Sequence, residues 1–86
     1  MLQTSLERLA DEVMETYVGW KEACSALERA YAAWHAAPRH DRRLACAAHV
    51  AALDREQHAA LVYARAIERL TTPRQPPLPQ GRPLAS

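Results

Sequence analysis

Cys46 and His49 stand three residues apart, a spacing that puts two side chains on one face of a helix. A thiolate and an imidazole so placed form half of a tetrahedral zinc or copper site. In the helix register that a short turn imposes, Tyr31 and Leu27 stand opposite them, and neither completes such a site. Cys24, the other cysteine, falls about 10 Å away along the helix axis, too far for a disulfide. Both cysteines read first as small buried apolar residues. Metal sensing through Cys46 and His49 is kept as a second alternative.

Other chemistry finds less support. Glu56-Gln57-His58 lacks the Glu-x-x-His spacing of a carboxylate di-iron site. Ser5, Ser25 and Ser86 have no histidine positioned to activate them. Gly19 and Gly81 are the only glycines, so no phosphate-cradling loop can form. The expectation is a non-enzymatic protein with no cofactor. Arg39, His40, Arg42 and Arg43 crowd a short segment in which Asp41 is the sole acid. Arg39, Arg42 and Arg43 are therefore the candidate contacts for an anion or a nucleic-acid phosphate, the first alternative reading. Against it, 11 Lys and Arg nearly cancel 10 Asp and Glu over the 86 residues, without the basic excess of a nucleic-acid binder.

The elements that must carry these residues are helical. Alanine supplies 18 residues and leucine 10, while phenylalanine is absent. Leu6, Leu9, Val13, Tyr17, Trp20, Cys24, Leu27, Tyr31 and Trp34 recur at three and four residues, with an irregularity near Val13 to Tyr17 that resembles a coiled-coil stutter. Thr4 with Glu7 has the capping-box form. A first helix is expected over about 5–36, a turn over 37–41 around Pro38, and a second helix over about 42–71 with Asp41 as its N-cap. The second stripe runs Cys46, Val50, Leu53, Gln57, Ala60, Ala64 and Ile67, and Thr71, Thr72 and Pro73 end it. Residues 73–86 hold five prolines and two overlapping P-x-x-P spacings, and read as a flexible, disordered tail.

A turn this short makes the helices antiparallel neighbours. With the turn near 38–40, facing residues have numbers that add to about 77. Tyr31 then faces Cys46, Leu27 faces Val50, Cys24 faces Leu53, Tyr17 faces Ala60 and Val13 faces Ala64. Trp20 faces Gln57, an indole donor beside an amide oxygen. Residues 1–36 carry a net charge of −3 and residues 37–70 a net +2. The expected ion pairs are Glu7 with Arg69, Asp11 or Glu12 with Arg65, and Glu22 with Arg55.

The fold class expected is thus all-α: an antiparallel, coiled-coil-like two-helix hairpin over 1–72. Such a hairpin has little interior, and apolar residues exceed what one seam can hide. A dimer forming a four-helix bundle, or a heterologous helical partner, would supply the missing layer. Met14, Val18, Leu61, Val62 and Tyr63 are the residues expected to meet that partner. No segment reaches the roughly 18 apolar residues of a membrane span. The N-terminal residues lack a basic and an apolar signal region, so the expected compartment is the cytoplasm. The function expected is protein–protein association, as an adaptor, co-chaperone or accessory protein.

Overall fold

The computed structural model describes residues 2–72, with side chains from Thr4 onward. Helix α1 spans Leu2–Ala36 and helix α2 spans Arg42–Thr71, joined through a short 3₁₀ turn at Arg39–Asp41. The two long helices lie against each other as a hairpin, and no strand occurs among the described residues. Among those residues no helix is long and apolar enough to cross a membrane. The sequence from Pro73 to Ser86, with its P-x-x-P spacings, lies outside the described residues.

The element ends follow local chemistry. Helix α1 begins before Thr4, so the Thr4–Glu7 motif sits inside the helix rather than capping it. Neither Leu2 nor Gln3 is a proline or glycine that would stop the helix there. At the other end the Ala37 amide donates to the Trp34 carbonyl at 3.3 Å, and Pro38 is extended at φ −66° and ψ 161°. The Pro38 carbonyl accepts the Asp41 amide at 2.9 Å, which closes the turn. Asp41 takes the N-cap position of α2 but makes no side-chain capping bond. Its backbone, at φ −104° and ψ −3°, lies outside the extended region a capping side chain needs. The carboxylate instead lies 3.5 Å from His40 Nε2. Helix α2 closes at Thr72, where the amide and hydroxyl both donate to the Glu68 carbonyl and the backbone turns extended ahead of Pro73.

The seam differs from the stripe of largest apolar residues. On α1 one covered line runs Leu9, Val13, Thr16, Trp20, Ala23, Leu27, Ala30 and Trp34 and continues to Ala37 past the helix end, with Glu12, Cys24 and Ala26 half-covered beside it. That is an unbroken alternation of four and three, so there is no stutter. Thr16, Ala23 and Ala30 occupy places expected for Tyr17, Cys24 and Tyr31. The Thr16 hydroxyl is satisfied within its own helix, by the carbonyls of Glu12 at 2.9 Å and Val13 at 3.0 Å. On α2 the covered line is Cys46, His49, Leu53, Glu56, Ala60, Tyr63, Ile67 and Leu70. His49, Glu56 and Tyr63 replace the expected Val50, Gln57 and Ala64.

A second line on α2, Ala45, Ala52, Ala59 and Ala66, repeats every seven residues and is also covered. The residues buried most deeply are all alanines: Ala66 at 0% exposed, Ala23 at 6% and Ala52 at 8%. Alanine at the contact lets the helix backbones come close, but it buries little apolar surface per residue. No large side chain among the described residues is fully buried. The interior is consequently thin.

The register is shifted as well. Tyr17 lies against Tyr63, not Ala60, and Tyr31 lies against His49, not Cys46. In both cases the facing residue is three positions later on α2. The cause is the turn: Ala37 still belongs to the seam, and the chain reverses through Arg39–Asp41 rather than at Pro38. The expected ion pairs change with it. Arg69 grips Glu12 through two hydrogen bonds, Nε to Oε1 at 3.3 Å and a shorter one to Oε2. It does not reach Glu7, and neither Arg65 with Asp11 or Glu12 nor Arg55 with Glu22 closes to ion-pair distance.

Candidate interaction surface

Two aromatic groups sit on one face of the hairpin. Nearer its open end, the Trp20 indole stacks on the Tyr63 ring at 5.5 Å and 14°. Tyr17 approaches Tyr63 at 5.5 Å and Trp20 at 6.3 Å, tilted and edge-on respectively. Lys21 Nζ lies 6.0 Å from the Trp20 ring centre, at the outer limit of a cation–π contact. The Trp20 Nε1 donates to Glu56 Oε2 at 2.8 Å. The same oxygen lies 4.0 Å from Cys24 Sγ, a weak thiol contact. Gln57, the expected partner of Trp20, is exposed, because the true seam passes one residue before it.

Near the turn, His49 stacks on Trp34 at 5.2 Å and 26° and meets Tyr31 at 5.5 Å. His35 closes the group, 4.3 Å from Tyr31 and 5.6 Å from Trp34. The His49 Nδ1 is buried and has no hydrogen-bond partner among the described residues. Cys46 and His49 do share the α2 seam, yet no group of three or more metal-ligating side chains converges among the described residues. Both cysteines are free and half-buried.

Contacts across the seam identify the two faces of this one-layer molecule. Tyr17, Cys24 and Tyr31 flank the seam on one side, which we call the aromatic face. Glu12 and Arg69 meet on the other side. There a cleft of about 640 Å³ runs along Gly19, Ala23 and Ala26 to Ala59, with Glu22, Arg29 and Arg55 at its edges. A methyl built on Gly19 would meet nothing within 4 Å, so nothing in the hairpin requires a glycine there.

The exposed large apolar residues fall unevenly between these faces. Met14, Tyr17, Tyr31, Val50 and Leu61 are exposed and, by heptad position, line the aromatic face or its margin, while Leu6 is exposed where the seam line runs out at the open end. Val18 and Leu44 are exposed on the outer edges of the two helices. Of the residues expected to meet a partner, Met14 and Leu61 share the aromatic side, whereas Val18 points to an edge. Val62 is half-buried toward the cleft side, and the Tyr63 ring is held within the hairpin by Trp20 and Tyr17. The five do not form one surface. Leu6, Tyr17, Tyr31 and Val50 escape the sequence reading because hydrophobicity assigns each to the seam or leaves it at a helix end. Their one available signal is the alternative heptad phase that places small residues inside.

Arg39, Arg42 and Arg43 are exposed around the turn. Asp41, the one carboxylate beside them in sequence, lies 3.5 Å from His40 Nε2 and within ion-pair distance of none of the three. Comparison with known protein families, curated proteins and solved structures finds no match to this chain.

Proposed function

We propose that this chain is a non-enzymatic, cytoplasmic helical-hairpin module that acts by protein–protein association, as an adaptor, co-chaperone or accessory protein. The supporting observation is the contrast between a core of buried alanines and a row of exposed large side chains along the aromatic face. A hairpin that hides so little of its apolar surface gains from a covering layer of protein, since contiguous apolar patches of this kind mark interaction sites. Recognition would be of the helix-face type, with the stacked Trp20–Tyr63 and Trp34–His49 pairs as a stiff floor under Met14, Tyr17, Tyr31 and Val50. The test compares native-lysate capture by the unmodified chain and by a Met14→Glu, Val50→Glu double variant. Proteins, or further copies of the chain, retained by the first and lost by the second support the reading; identical captured sets overturn it.

A second reading has its own observation. The guanidinium groups of Arg39, Arg42 and Arg43 have no carboxylate partner among the described residues, which suits a phosphate-bearing ligand. It predicts retention on heparin that disappears when all three become serine.

A further inference from the structure

We infer that the layer covering the aromatic face is a second copy of this chain, laid antiparallel across it to complete a four-helix bundle. The inference rests on the interaction-module reading and supplies its partner. Its ground is the distribution of charge along the hairpin.

The turn end carries Arg39, Arg42 and Arg43 against Asp41 alone, a net of two positive charges with histidines neutral. Among the described residues the open end, where α1 begins and α2 finishes, carries Glu7, Asp11, Glu12, Glu15 and Glu68 against Arg8, Arg65 and Arg69, a net of two negative charges. A two-fold axis lying in the plane between the two aromatic faces, perpendicular to the helices, brings each turn end onto the other copy's open end. Both charge excesses are then met twice over by one operation, as an isologous interface requires. A parallel arrangement would instead set like charges together at each end. The apolar residues obey the same operation. Val50 and Tyr31 lie toward the turn and Met14 toward the open end, so the antiparallel copy sets one group over the other, with Tyr17 and Leu61 near the axis.

The experiment is sedimentation velocity on the full chain across a hundredfold range of concentration, at low and at high salt, with circular dichroism on the same samples. The unmodified chain is expected to sediment as a dimer. Met14→Glu with Val50→Glu should weaken association by about 100-fold or more while helicity is retained, because the charges would be buried at the interface. Val18→Glu with Leu44→Glu, on the outer edges, should leave it dimeric. Arg39→Glu with Arg43→Glu should weaken the dimer by about tenfold at low salt and less at high salt. Adding Glu7→Arg and Asp11→Arg to that variant should restore it. A helical monomer at all concentrations overturns the inference and leaves the module reading to the lysate capture. A dimer indifferent to the aromatic-face substitutions overturns the inference too, and unchanged capture would then remove both. A dimer that the charge reversals strengthen, or that the compensating pair fails to restore, overturns the antiparallel arrangement.

Discussion

The Trp20 indole has one hydrogen to donate, and Glu56 Oε2 receives it 2.8 Å away across the helix seam. A half-buried charged acceptor makes this a stronger contact than a neutral one. Glu56→Ala should therefore lower the unfolding free energy by about 1–2 kcal/mol, and Glu56→Gln by less, since an amide oxygen can still accept. Urea denaturation followed by circular dichroism measures both; equal losses would mean that the carboxylate charge, which both variants remove, sets the effect, because glutamine keeps the packing. His49 presents the opposite case, with Nδ1 buried and unpartnered among the described residues. Phenylalanine at that position keeps a ring against Trp34 and removes the stranded acceptor or donor. His49→Phe is expected to raise stability by about 1 kcal/mol. A loss of that size would reveal that Nδ1 has a partner in solution.

At the scale of the helix, composition decides more than individual contacts. Gly19 interrupts an otherwise favourable α1 and has open space where a Cβ would go. Gly19→Ala should stabilise the chain by roughly 0.5–1 kcal/mol through the backbone alone, seen as a higher melting temperature. Ala66 is the reverse, with no exposed surface at all. Ala66→Leu would overfill the most completely buried position and is expected to cost about 1–3 kcal/mol. The pair of substitutions checks the assignment of faces: a neutral Ala66→Leu would mean that α2 turns a different face toward α1. Heptad phase is what separates these sites. A line of alanines every seven residues, Ala45 to Ala66, lets α2 turn a small-residue edge toward α1 and leaves Val50 outside.

For the whole molecule the consequence is marginal self-sufficiency. Under the proposed association, a chain whose buried core is made of alanines would draw part of its stability from the layer that covers the aromatic face. If that cover is a second copy, the melting temperature rises with protein concentration, and a melting point constant over a hundredfold range would show a hairpin that needs no partner. The charge asymmetry between turn and open end adds a salt dependence to the same measurement.

The sequence alone determined the two helices, their limits near Ala36 and Thr71, and the antiparallel hairpin. Periodicity, Pro38 and the short turn are local and suffice for that. It also located the excess of apolar residues and the basic turn. It did not determine which face of each helix turns inward. Two heptad phases compete on α1, one through Tyr17, Cys24 and Tyr31 and one through Thr16, Ala23 and Ala30, and hydrophobicity favours the first. Close approach of the backbones favours the second, because alanines on both helices bring them together while the larger rings splay outward and stack. That choice depends on both helices at once. The three-residue shift of register, the exchange of Gln57 for Glu56 and the emergence of an aromatic face all follow from it, and only the tertiary structure could decide them.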